Sequence, residues 1–198
     1  MSIKENQKVI ICLVRHGKTN QNIKKLIQGR KDFPLSEEGR IEALQAALLL
    51  KDTDPNWDII YSSPLSRAYE TAQIIASNIG YNKEIIKNDD FIERDFGVSE
   101  GMPVNDEVFV KVLCDSWEGI ETTLEIRKRM QDGVKKIINN TNYKKIMIVS
   151  HSHSIKGFLS SIDNSISMDF WIPNASLSYV EYENNEFKIL EMGKRTDQ

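Results

Sequence analysis

An arginine and a histidine stand side by side in the run Leu13-Val14-Arg15-His16-Gly17-Lys18-Thr19, where a short apolar stretch ends. The glycine that follows lets backbone approach closely, and the residues beyond it suit a helix start. A guanidinium forks onto phosphate oxygens and an imidazole can attack phosphorus, so this corner is shaped for a phosphate. Asn22, six residues past His16, lies within reach of the same pocket across the turn.

The arrangement recurs twice. Ser62-Ser63-Pro64-Leu65-Ser66-Arg67 follows the apolar run 59–61 and puts Arg67 in the first turn of a helix. The run 146–149 ends in Ser150-His151-Ser152-His153, which brings another imidazole to a strand end. Alone, an arginine one turn into a helix is an ordinary solvated residue, and a loop histidine is ordinarily just hydrogen-bonded. Repetition at three strand ends points instead to one shared anion site.

The elements that must position these residues are legible as alternating patterns. Apolar runs at 9–14, 59–61, 85–86, 146–149, 177–182 and 187–190, several rich in β-branched residues, predict strands. Helical patterns lie between them. One has Ser36 as N-cap, Glu37 and Glu38 in its first turn, and Ile41, Leu44 and Leu48 as its apolar face. A second takes Ser63 as cap and Pro64 as its first residue, presents Ala68, Ala72, Ile75 and Ile79, and stops at Gly80. A third, over 122–138, keeps Ile126, Met130, Val134 and Ile137 in register. Such alternation predicts an α/β fold, a three-layer α/β/α sandwich with its site at the carboxyl ends of the strands. A closing hairpin around Glu183-Asn184-Asn185 makes the central sheet mixed, though mostly parallel. Residues 97–120 are the least periodic part and are expected to cover the site.

Bulk properties exclude more than they identify. With 198 residues, 40% hydrophobic and 28% charged, the chain suits one domain over 1–198. A net charge of −3 with dispersed basic residues gives no nucleic-acid footprint, and Lys24, Lys25, Arg30 and Lys31 form the only basic cluster. No apolar run approaches the ~20 residues of a membrane span, and no signal peptide follows the polar start, so a cytoplasmic location is expected. Cys12 and Cys114 form no disulfide framework and are expected to be core fillers.

Five blocks, in order, carry a resemblance over nearly the whole chain: Arg15-His16-Gly17 with Thr19 and Asn22; Gln28-Gly29-Arg30 leading to Pro34-Leu35-Ser36 and Gly39-Arg40; Ser62 to Arg67 with Thr71-Ala72; Glu93 before Phe96-Gly97 and Glu100-Gly101; and Val149-Ser150-His151. The sequence resembles the histidine phosphatase superfamily, in the branch that holds cofactor-dependent phosphoglycerate mutases and broad-specificity phosphatases. The resemblance implies a metal-independent phosphomonoester hydrolase of histidine acid type, without cofactor, acting on a small phosphorylated metabolite. It implies that His16 is the nucleophile, that Arg15, Arg67 and His151 hold the phosphoryl group, and that Glu93 is the proton donor. Asn22, Gln28 and Gly29 complete the phosphate cradle by the same carry-over. General chemistry agrees, because phosphoryl transfer is catalysed chiefly by fixed cations and donors around the equatorial oxygens.

Rival readings have weaker support. A metal-dependent phosphoesterase would use His16, His151 and His153, but a helix starting at His151 turns the last two about 200° apart. A cysteine phosphatase needs an arginine separated from its thiolate by five residues, and at that spacing Cys12 has Lys18 and Cys114 has Ile120. A non-catalytic binding module would lack the nucleophile or the acid, and both are present. Within the resemblance, a phosphoglycerate mutase needs extra cations, and 97–120 offers Lys111 alone. A phosphatase is therefore favoured, with Phe109 and Trp117 available to an apolar leaving group. A fructose 2,6-bisphosphatase-like activity stays open, with Lys18, Arg94 or the Lys24-Lys25 pair for a second phosphate. Lys18, Ser152 and His153 depart from the residues common in relatives.

Overall fold

The computed structural model describes residues 8–195. Apart from Lys8, the polar amino-terminal stretch lies outside them, as do residues 196–198. Strand β1 (Val9–Arg15) is flanked by β4 (Lys145–Ser150), parallel to it, and by β5 (Leu177–Glu183), antiparallel. Strands β2 (Ile59–Ser62) and β3 (Ile85–Lys87) extend the parallel side, and β6 (Glu186–Lys194) closes the other edge, in the order β3-β2-β4-β1-β5-β6. The β5–β6 turn puts Asn184 and Asn185 at φ of 53° and 66°, the left-handed pair that such a two-residue hairpin requires.

Period-two alternation along β1 divides the core. Val9, Ile11 and Leu13 enter one cluster with Ile126, Met130 and Val134 of helix α5 (Thr123–Asn140) and Phe158 of α6 (Ser152–Ile162). Cys12 and Val14 enter another, with Ala47 and Leu50 of α2 (Glu37–Thr53) and Ala68, Ala72 and Ile75 of α3 (Ser66–Ile79). Helices thus cover both faces of a mixed sheet, the expected three-layer α/β/α arrangement. Short helix α1 (Asn20–Ile23) follows β1, and α4 (Asp106–Leu113) lies within the stretch 97–120.

Three local expectations need correction. Helix α2 does not bury Ile41, Leu44 and Leu48, which are 58%, 41% and 47% exposed; it buries Ala43, Ala46, Ala47 and Leu50. Its alanine face meets the alanines of α3, and small side chains let the two helices approach closely. Helix α3 begins at Ser66 with Leu65 at its cap, so Ser63 and Pro64 stay in the preceding turn. The Ser63 hydroxyl is engaged elsewhere, as described below. Cys114 is exposed, since it caps the carboxyl end of α4, whereas Cys12 is buried as expected.

Gly17 has a packing reason distinct from phosphate approach. A Cβ there would lie 2.2 Å from the Gly39 carbonyl oxygen, and one on Gly39 would lie 2.0 Å from that of Lys18. The first turn of α2 therefore presses on the turn that follows His16. Ser36 N donates to the Lys18 carbonyl, and Lys18 N donates to Glu42 Oε2 at 2.8 Å, which locks the two together.

Candidate active site

Sheet register brings the strand ends level. Arg15 pairs with Ser150 and Ser62 with Val149, so His16, His151 and Ser63 each stand one step beyond aligned termini. The His16 backbone is gripped on both sides: its N–H donates to Ser150, and its carbonyl accepts from Ala175 N and Asn174 Nδ2. The rings of His16 and His151 meet edge to face with centroids 5.0 Å apart.

His16 Nδ1 lies 2.7 Å from its neighbour's carbonyl, Gly17 O. A carbonyl only accepts, so Nδ1 carries the proton and Nε2 is left with a lone pair. Burial holds the His16 pKa well below the usual 6.5, and the Arg67 and Arg15 charges push it the same way. The ring is therefore neutral at neutral pH, with the Nε2 lone pair free. His151 is held neutral by burial first, then by Arg67, His16 and Arg15. Its Nε2 lies 2.7 Å from Ser63 Oγ, and its Nδ1 is buried without a partner.

Both arginines are tied to backbone and to no carboxylate. Arg67 Nη1 donates to Lys31 O at 2.9 Å and Nη2 to Gly29 O at 2.7 Å, while Arg15 Nη1 donates to Ile172 O. They are only 1% and 6% exposed, and among the described residues neither forms an ion pair. In each the Nε–H is buried without an acceptor. Burial lowers the Arg15 pKa to about 10 and that of Arg67 in the same direction, which leaves both charged at neutral pH. Glu93 favours both charges from a distance, but buried cations with no direct ion-pair partner and with orphaned donors are costly unless an anion completes them.

The other expected site residues stand around this centre. Asn22 Oδ1 accepts from Thr19 N at 3.0 Å and Gln28 Oε1 from Thr19 Oγ1 at 2.9 Å, so both amide oxygens are occupied within the turn and their NH2 groups remain as donors. Gly29 has φ of +55°, and a Cβ there would meet Glu100 Oε1 at 1.8 Å, so glycine is required. Glu93 is 7% exposed and sits at the first turn of α6, where His151 supplies no side-chain cap. Its Oε1 accepts from Arg94 N at 2.8 Å and Ser154 N at 3.1 Å, and Oε2 from His153 N at 3.4 Å. A carboxylate thus takes the place of the missing helix cap.

His153 turns away from the pair of facing imidazoles. Its ring packs edge-on against Phe96 at 4.9 Å. Lys18 and Arg94, considered for a second phosphate, are engaged internally: Lys18 with Glu38 and Glu42, and Arg94 with Asp115 and two backbone carbonyls. Trp117 packs on a small cluster of Ile27, Phe96, Val108, Val112 and Ile120, leaving Phe109 as the more exposed ring. Sequence reasoning missed Ser63, Asn174, Ser154 and the Ile172 carbonyl. Only Ser63 had a signal, its place at a strand end.

The chain is 36% identical over 182 residues to an uncharacterized phosphatase, PhoE, of Bacillus subtilis (strain 168), spanning 90% of this chain and 91% of that one. A phosphoserine phosphatase from Entamoeba histolytica, solved with phosphoserine, superposes with a TM-score of 0.79 at 26% identity, covering 94% of this chain and 97% of that one. A phosphoglycerate mutase from Bacillus anthracis shares the fold with a TM-score of 0.84 at 22% identity, covering 96% and 95%. The family model for the histidine phosphatase superfamily (branch 1) matches residues 11–195, and the chain belongs to that superfamily.

Proposed function

We propose that the protein is a metal-independent phosphomonoester hydrolase of histidine acid type that works through a phosphohistidine on His16. The observation that carries this reading is the set of buried nitrogens without a partner, Arg15 Nε, Arg67 Nε and His151 Nδ1, around a neutral imidazole. They are placed to hold the equatorial oxygens of a phosphoryl group, with the NH2 groups of Asn22 and Gln28 and the Gly29 turn completing the cradle.

In the first step His16 Nε2 attacks phosphorus as the ester P–O bond breaks, and the Glu93 carboxyl gives its proton to the leaving oxygen. In the second step the Glu93 carboxylate takes a proton from water while the water oxygen attacks phosphorus. The N–P bond then breaks, returning neutral His16, protonated Glu93 and inorganic phosphate. His151, its Nε2 against Ser63 Oγ, becomes an imidazolium as the anion arrives and donates through Nδ1. Two arginine charges beside His16 and His151 oppose a cation at the same place, which supports a route without metal.

We read residues 97–120 as the cover, in a single domain spanning the chain. Glu100 packs on Gly29, and Val104 N donates to Lys25 O, which seats the segment's first half beside the cradle. Its one cation, Lys111, is paired with Glu107 at 2.9 Å, so the segment lacks a free charge for the second anionic group that a mutase must hold. Hydrolysis of a small phosphorylated metabolite is thereby favoured over transfer. The test is phosphate release from p-nitrophenyl phosphate, phosphoserine, 3-phosphoglycerate and fructose 2,6-bisphosphate, with chelator present, by the native chain and His16→Ala. Chelator-resistant release that vanishes with His16→Ala is expected; release indifferent to His16 refutes the route.

A further inference from the structure

The loop that carries Glu93 is held carbonyl by carbonyl. Asp90 O accepts from Arg129 Nη1 at 2.8 Å, and Phe91 O from Ser150 Oγ at 2.8 Å. Ile92 O accepts from Arg129 Nη1 at 3.0 Å and Ser154 Oγ at 2.6 Å, and Glu93 O from Arg30 Nε at 3.4 Å. Loop carbonyls ordinarily face water, so side-chain donors on four in succession mark a segment built to stay in one place.

Arg129 is itself fixed. From α5 it meets Glu121 in a fork, Nε to Oε1 at 2.7 Å and Nη2 to Oε2 at 3.0 Å, with side chains 17% and 9% exposed. Glu121 Oε2 also lies 3.5 Å from Arg30 Nη2 and accepts from Asp95 N at 3.3 Å. One carboxylate therefore ties together both guanidinium groups that grip the loop, on either side of Glu93. Bidentate pairs of this kind fix direction as well as distance.

We propose that Arg129 and Glu121 form a positioning pair for the proton donor, setting where the Glu93 carboxyl stands relative to the leaving oxygen. The proposal rests on the hydrolytic route above, in which Glu93 protonates that oxygen. Neither residue touches substrate; they act through the loop. Lysine at 129 would keep the charge but lose the fork, since an ammonium cannot bind Glu121 bidentately and grip two carbonyls in the same plane.

The discriminating readout is sensitivity to the leaving group. Phenoxide is a strong base and needs the donated proton, whereas p-nitrophenoxide departs nearly unaided. For Arg129→Lys we expect kcat/KM, which reports transfer to His16 and not the later attack of water, to fall about 10- to 100-fold on phenyl phosphate and less than about 3-fold on p-nitrophenyl phosphate. In a Glu93→Gln background the same substitution should add no further leaving-group dependence. An equal fall on both esters, no fall on either, or an undiminished effect in Glu93→Gln overturns the proposal. Glu121→Gln carries the same comparison if Arg129→Lys does not fold, with thermal unfolding recorded for each variant. Failure of the hydrolytic reading shows separately, as native chain that releases no phosphate from either ester or does so without His16, and it removes this proposal too.

Discussion

The strand ends and residues 97–120 meet at the same cradle but are built on opposite terms. At the strand ends His16, Arg15, Arg67 and His151 are all buried, and each backbone or side chain is tied to strands, turns or carbonyls that the sheet holds in register. Residues 97–120 rest mainly on a separate five-residue cluster, with Leu113 reaching one of the two main cores, and leave Val98, Val104, Phe109 and Val110 exposed. Rigid elements suit charges that must face a transition state; a weakly anchored segment suits selection among leaving groups, which vary. Under the proposed function, chemistry and specificity would sit on parts of unequal stability.

The sharpest break of that contrast is His16→Ala. Turnover of p-nitrophenyl phosphate should fall by at least about 10⁴-fold while the unfolding transition stays cooperative, because the proposed nucleophile goes and the strands remain. A residual rate within tenfold of the native one would contradict the assignment of this region to chemistry.

Acid should act on the strand ends next. His16 and His151 sit well below the 6.5 they adopt in an unfolded chain, because burial and the two arginines oppose their protonation. Below pH 6.5 the unfolded chain binds protons that the folded one does not, so stability falls with falling pH, about 1.4 kcal/mol per pH unit for each ring. Urea titrations from pH 7.5 to 5 read the slope, and saturating inorganic phosphate should flatten it by favouring protonated His151.

Gly17→Ala tests whether the α2 contact holds the nucleophile. Its Cβ would meet Gly39 O at 2.2 Å, backbone against backbone, so a stability loss of about 2–3 kcal/mol and a lower kcat should appear together. Stability lost with kcat intact would separate the packing of the turn from the aim of His16. The smallest effect is expected in residues 97–120: Val112→Ala, in the satellite cluster, should raise hydrogen exchange across that segment and shift global unfolding by less than about 1 kcal/mol.

What the sequence by itself determined lies where local pattern and chemistry coincide. Arg15-His16-Gly17 and Ser150-His151 end strands whose apolar runs are unmistakable, and the face of α5 through Ile126, Met130 and Val134 is the buried one. The Nδ1 proton of His16 is likewise set by its own neighbour, Gly17. Only the tertiary structure decided the rest. Periodicity marks the largest apolar side chains, but α2 packs through alanines because α3 offers alanines, a choice visible only when both helices are present. His151 finds Ser63 across 88 residues, and Arg15 finds the Ile172 carbonyl across 157, because the strand order β2-β4-β1-β5 makes neighbours of distant segments. Those long-range hydrogen bonds engage one nitrogen of each side chain and leave Arg15 Nε and His151 Nδ1 without a partner, so this arrangement is a property of the assembled sheet edge.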